Sequence, residues 1–171
     1  NLEILRQRGV RVLGPGSGSQ ACGEVGEGRM LEPVELVGQL VAGHRPQVLA
    51  GLRVLVSAGP TFEDIDPVRF IGNRSSGRMG FAIAAAARDA GATVQLVAGP
   101  VGLATPAGVE RIDVRSARQM RDAVIQRAAA NDIFIAAAAV GDYRPEACAP
   151  HKLKKSGKPL ALELIQNPDI L

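Results

Sequence analysis

The run Asn73-Arg74-Ser75-Ser76-Gly77-Arg78-Met79-Gly80 carries residue types suited to holding an anion. Residues 51–57 (GLRVLVS) ahead of it read as a buried strand, ended by the glycine turn Ala58-Gly59-Pro60-Thr61. Residues 81–90 behind it are alanine-rich and helical. Backbone N–H groups at a glycine turn and at a helix N-terminus attract phosphate oxygens. Ser75, Ser76 and Gly77 form the loop itself, and the flanking arginines add positive charge. Asn73 offers an amide that can hold a reacting carbonyl or phosphate oxygen without titrating. The plainer alternative is a solvated helix start, for which Asn, Ser and Gly are ordinary residues.

Three more clusters could do chemistry. Ala138-Ala139-Val140-Gly141-Asp142-Tyr143-Arg144-Pro145 combines small residues, which let a ligand approach the backbone, with a carboxylate. Asp142 there suits a metal or a ribose hydroxyl, or it caps the turn before Pro145. Lys152-Leu153-Lys154-Lys155, with Lys158 beyond, is either a solvated loop or a clamp for a triphosphate. Asn167-Pro168-Asp169-Ile170-Leu171 follows a strand expected over residues 160–165 and has the composition of a turn.

The elements that must position these clusters alternate. Strand 53–57 leads to helix 76–90, closed by Gly91, then to strand 93–98, which ends at Gly99-Pro100. Strand 109–114, a helix from the cap Ser116 to about residue 130, and strand 132–137 follow. The last strand lacks alternation and is expected to be fully buried. Such alternation predicts an α/β fold: a doubly wound, mostly parallel Rossmann-like sheet with helices on both faces. In these sheets ligands sit at the carboxyl ends of the strands, and every cluster above falls at one, which indicates a nucleotide enzyme. Residues 1–44 offer a helix near 2–5, a strand at 10–13, a glycine-laden loop at 14–29 and a helix at 33–41 opened by Pro33. That is too little for a core of its own and reads as the tail of a preceding domain. A linker at 45–50 and a second domain at 51–171 complete the expected organisation.

Composition narrows the class. With 171 residues, 46% hydrophobic and 22% charged, the chain is globular and about one domain long. No apolar run approaches the roughly 20 residues of a membrane span. Net charge is a mild +3, aromatics are 3% and tryptophan is absent, which argues against a nucleic-acid stacking platform. Cys22 and Cys148 are far apart and fit no metal spacing, so reduced thiols and a cytoplasmic setting are expected. The chain begins at Asn1 without methionine and is expected to be a piece of a longer one.

The words Ala58-Gly59-Pro60-Thr61, Ile65-Asp66-Pro67-Val68-Arg69-Phe70-Ile71 and Asn73-Arg74-Ser75-Ser76-Gly77 closely resemble the phosphopantothenate–cysteine ligases. These are coenzyme A biosynthesis enzymes often fused to phosphopantothenoylcysteine decarboxylase, and the likeness runs to Leu171. The resemblance implies that CTP activates the carboxylate of 4′-phosphopantothenate, giving an acyl-cytidylate and pyrophosphate. Cysteine's amine then displaces CMP. By motif match, Asn73 handles the acyl-cytidylate with Arg69 and Ala139 close by, and Lys152 is the nucleotide-binding lysine. Gly59, Ala138, Asp142, Pro168, Asp169, Ile170 and Leu171 match positions that contact CTP. Mg²⁺ or Mn²⁺ is implied, with Asp142 its tentative ligand. Position 60 is proline where many relatives have glycine, removing one N–H donor. The family continues beyond Leu171, so the ligase domain is expected to be incomplete.

Upstream, Ala21-Cys22-Gly23-Glu24, Gly26 and Gly28-Arg29-Met30 resemble the substrate clamp of the FMN-dependent, flavodoxin-like decarboxylase. There the cysteine, Cys22 here, is the proton donor in forming 4′-phosphopantetheine, and the FMN-binding part is expected outside this chain. Cys148 matches no motif and reads as structural. The resemblance also implies homo-oligomers, with ligase dimers and decarboxylase trimers, in a bacterial protein using CTP rather than ATP. Two other readings are carried: an NAD(P)-dependent Rossmann oxidoreductase and a non-catalytic nucleotide-binding scaffold. The former needs Gly-x-Gly-x-x-Gly after the first strand and an acid ending the second, where Ala-Gly-Pro-Thr and Ala98-Gly99 stand.

Overall fold

The computed structural model describes residues 1–19, 23, 25–44, 46–155, 157 and 159–170. They fall into two compact units, Asn1–Pro46 and Gln47–Leu171.

The first unit holds helix α1 (Leu2–Gln7), strands β1 (Gly16–Ser19) and β2 (Val25–Arg29), and helix α2 (Pro33–His44). Residues 10–13 form no strand, and the expected glycine loop is instead the antiparallel hairpin β1–β2, with Ser17 opposite Glu27. Glycine is a poor strand former, which hid the hairpin. Its use here is steric, since a Cβ on Gly16 would lie 3.2 Å from the Leu31 side chain and one on Gly18 3.2 Å from that of Arg29. Helix α2 begins where expected, and the Glu35 carboxylate accepts the Glu32 backbone N–H at 2.9 Å. Among the described residues no hydrophobic side chain of this unit is buried.

The second unit is built on a four-stranded parallel sheet in the order β7-β6-β3-β8. Its strands are β3 (Arg53–Ala58), β6 (Thr93–Ala98), β7 (Val109–Asp113) and β8 (Ile133–Ala136). The two-residue period of a strand sends Val54, Val56 and Ala58 to one face and Leu55 to the other. Helix α3 (Arg78–Asp89) covers the first face with Phe81, Ala84 and Ala87, together with Val94, Leu96 and Ala98 of β6. Helix α4 (Ala117–Ala128) covers the second with Met120, Ala123 and Val124. The doubly wound, parallel sheet is therefore as expected. Ser116 caps α4 in a reciprocal capping box with Gln119.

Three boundaries differ for physical reasons. Helix α3 starts at Arg78 rather than residue 76, because Gly77 sits at φ +72, outside helical space. Strand β8 is half-exposed rather than fully buried, because it is the sheet's edge and pairs only with β3. The strand expected at 160–165 shrinks to β10 (Leu164–Gln166), antiparallel to β9 (Tyr143–Pro145). A further hairpin, β4 (Phe62–Asp66) with β5 (Arg69–Gly72), was absent from the sequence reading. Its strands are short and without regular alternation, and it is set by Asp66, which accepts the Val68 and Arg69 backbone N–H groups at 2.9 and 3.0 Å in the turn. No helix among the described residues is long and apolar enough to cross a membrane.

Candidate functional site

Strand order reverses direction between β3 and β8: the chain runs outward from β3 to β6 and β7, then returns to β8 on the other side. That reversal opens a crevice at the carboxyl ends of β3 and β8. A cleft of about 370 Å³ lies there, lined by Ser57, Ala136, Ala138, Val140, Gly141, Asp142, and residues 166–170. Ala138, Asp142, Pro168, Asp169 and Ile170 were all singled out from sequence, and the fold brings them together. Leu171 and Cys22 lie outside the described residues.

The cleft wall at residues 139–142 is tied down on several sides. The Ala139 N–H donates to Gly59 O at 2.8 Å, and Thr61 N–H donates back to Ala139 O at 3.4 Å. This bridge uses the residues on either side of Pro60, so the missing N–H at position 60 breaks no pairing. Asn73 Nδ2 donates to Val140 O at 2.8 Å, and Gly141 N–H donates to Thr61 Oγ1 at 2.9 Å. Asn167 Nδ2 donates to Gly141 O at 2.7 Å, while its backbone N–H donates to Asp142 O at 2.7 Å. Asn73 and Ala139 are thereby neighbours along one backbone stretch.

The glycines beside Asn73 mark close backbone approach. Gly59 and Gly77 both have positive φ, +80 and +72. A Cβ on Gly77 would lie 3.3 Å from Gly59 Cα and 3.1 Å from Val101 Cγ1. Gly77 N–H donates to Ser75 Oγ at 3.2 Å, and α3 has no side-chain cap. Ser76, Arg74 and Arg78 are exposed around this turn. Such a turn can present N–H groups and cations to an anion.

Arg69 is held away from the crevice. Its guanidinium forms an ion pair with Asp66, with Nε 3.0 Å from Oδ2, and Nη2 donates to Leu153 O at 2.7 Å. Asp66 Oδ2 also accepts the Leu153 N–H at 3.0 Å. The Asp66 side chain has no solvent contact, Arg69 and the Leu153 backbone standing against its carboxylate. The Arg69 guanidinium holds its carboxyl well below the usual carboxylate range, outweighing desolvation, and the Leu153 and Val68 N–H groups add to this. This hub anchors the lysine segment to the β4–β5 hairpin. Lys154, Lys155, Leu153 and Arg69 line a second cleft of about 360 Å³, whereas Lys152 is exposed and lines neither cleft.

Among the described residues no group of three or more His, Cys, Asp or Glu converges as a metal cage. Asp142 and Asp169 are the carboxylates on the main cleft. One or two carboxylates suit Mg²⁺, which takes its remaining ligands from substrate phosphates and water. Cys148 is not a packed structural thiol but an exposed one, beside Arg115 and Glu146. Thr61 and Asn167, both buried and both bonded to the cleft wall, stand inside two of the sequence clusters but carry no role in the sequence analysis. Asn167 was hidden by its turn-like Asn-Pro-Asp context, and Thr61 carries no sequence signal beyond its place in the glycine turn.

A parallel sheet with helices on both faces and a polar cleft at its switch point defines an α/β protein of the doubly wound class, in which that crevice is where ligands bind. Residues 49–171 match the DNA/pantothenate metabolism flavoprotein C-terminal domain, and the chain belongs to that family. The coenzyme A biosynthesis bifunctional protein CoaBC of Vibrio cholerae is 54% identical over 173 residues, and that of Escherichia coli 51% over 175. Each comparison covers 100% of this chain but only 43% of the relative's length. Among solved structures, the C-terminal domain of a CoaBC superposes with TM-score 0.64 at 46% identity, over 72% of this chain and 58% of that one. A Cab2 mutant in complex with phosphopantothenate-cysteine has TM-score 0.55 at 16% identity, over 78% of this chain and 60% of that one, a likeness of fold alone.

Proposed function

We propose that this chain carries the CTP-dependent phosphopantothenate–cysteine ligase step of coenzyme A biosynthesis. The observation that carries the reading is the cleft at the switch point, walled by residues 138–142 and 167–170. The names of the bifunctional relatives, which are half identical to this chain, support it. In the first half-reaction a carboxylate oxygen of 4′-phosphopantothenate attacks the α-phosphorus of CTP, and pyrophosphate leaves. In the second, the cysteine amine attacks the acyl carbon, loses a proton, and CMP departs. Ala138, Asp142, and the 168–171 segment are assigned to CTP, with Gly59 and the Ser75-Ser76-Gly77 turn on its phosphates. Asn73, with Ala139 near it, is assigned to the acyl-cytidylate, and Arg69 joins them by motif match alone, its guanidinium being held by Asp66. Mg²⁺ or Mn²⁺ bound through Asp142 and the phosphates would neutralise charge on the leaving pyrophosphate. Lys152 adds charge from its loop.

We further infer that residues 1–44 are the tail of a decarboxylase domain, joined by a linker at 45–50 to the ligase domain at 51–171. FMN and the decarboxylation in which Cys22 donates a proton belong to that larger protein, cytoplasmic and homo-oligomeric in this reading. Calorimetric titration with CTP, ATP and NAD⁺, each with Mg²⁺, tests the assignment. Selective CTP binding is expected, weakened by Lys152→Gln. Binding of NAD⁺ alone would replace the ligase with an oxidoreductase.

A further inference from the structure

We propose that Asn167 is a positioning residue that locks the two walls of the cleft together; its link to nucleotide binding rests on the function proposed above. Asn167 is only 8% exposed, and both polar atoms of its side chain and its backbone N–H are engaged. Nδ2 donates to Gly141 O at 2.7 Å, Oδ1 accepts from Arg144 Nη1 at 3.1 Å, and the backbone N–H donates to Asp142 O at 2.7 Å. Arg144 Nη1 also donates to Gln166 O at 2.6 Å, fixing the guanidinium against the same strand end. The amide's orientation is thereby determined. Arginine has no acceptor, so Oδ1 must face it; the Gly141 carbonyl has no donor, so Nδ2 must face that. Pro168 restricts Asn167 to extended backbone, which keeps the side chain aimed across the cleft base.

Asn73 and Thr61 hold the 139–142 stretch from one side, and Asn167 closes it from the other. Asp142 and Ala138 are then presented to a ligand without further ordering, and a preorganised wall binds more tightly than one that must be ordered on binding. Shape alone does not explain the choice of residue. Aspartate has almost the same outline and keeps the Arg144 partner, yet sets a carboxylate oxygen against the Gly141 carbonyl.

The test uses the full chain with Asn167→Ala and Asn167→Asp. Both are expected to bind Mg²⁺–CTP at least about tenfold more weakly by calorimetry, the scale of an unmade buried hydrogen bond. In the nucleotide-free protein, amide exchange at Gly141 and at position 167 should quicken at least about tenfold, while β3 and β6 amides keep their protection. An Asn167→Asp variant with unchanged CTP affinity and unchanged exchange overturns the proposal, since a purely steric role would tolerate it. If the unsubstituted chain does not bind CTP, the ligase reading falls. Exchange then decides the lock alone, quickening upholding it and no change overturning it. Should both variants lose β3 and β6 protection, Arg144→Met, which leaves Asn167 Oδ1 without its partner and loosens the amide's hold on Gly141, is read by the same two criteria.

Discussion

At the scale of the residue, the side chains that matter most in this fold are those that hold backbone. Asn73 uses one amide N–H on Val140 O, leaving its second N–H and its oxygen for a ligand. Asn73→Asp removes that donor and adds charge. It should keep CTP affinity within a few-fold yet stop amide formation, so that the acyl-cytidylate accumulates in a single-turnover assay; undiminished product would exclude Asn73 from the chemistry. Asp66 is the other such residue, and its carboxyl is depressed chiefly by Arg69. A group with a lowered folded pKa stabilises the fold above its unfolded pKa, about 4, and that contribution drains away as pH falls toward the folded value. Thermal midpoints measured from pH 6 to pH 2 should therefore drop below about pH 4. Asp66→Asn should start lower at pH 6 and fall less steeply; parallel curves would show that Asp64 and Asp132, also depressed by arginine partners, account for the acid sensitivity.

At the scale of the element, the distance between α3 and β3 is set by a missing methyl group. A Cβ on Gly80 would collide with Ala58 Cβ and stand 3.1 Å from its Cα. Alanine in a helix interior is favoured over glycine by about 1 kcal/mol, whereas overpacking a tight core costs about 1–3 kcal/mol. The clash wins, so Gly80→Ala should lower unfolding stability by about 1–2 kcal/mol in denaturant titration; a gain in stability would mean that α3 can shift freely. The parallel strands and both covering helices were legible in sequence because strand and helix periodicities are local. The β1–β2 and β4–β5 hairpins were not. Glycines at contact points and a carboxylate folded back on its own turn leave no periodic signal.

At the scale of the whole molecule, both apolar clusters lie within residues 47–171, and none of the described residues of the first unit is a buried hydrophobe. A fragment beginning at Gln47 should therefore unfold cooperatively, with a midpoint within a few degrees of the full chain by circular dichroism; non-cooperative melting would show that the first unit supplies part of the core. The sequence by itself determined the α/β class and the parallel sheet, since hydrophobic period and turn chemistry are written in neighbouring residues. Tertiary structure alone decided which clusters meet. Residues 138–142 and 167–170 share one cleft because β8 returns beside β3, while Arg69 turns to Asp66 and the lysine segment docks on the β4–β5 hairpin instead. Such meetings depend on strand order and on hydrogen bonds between residues far apart in the chain, such as Asn167 to Gly141 and Leu153 to Asp66, which no local pattern encodes.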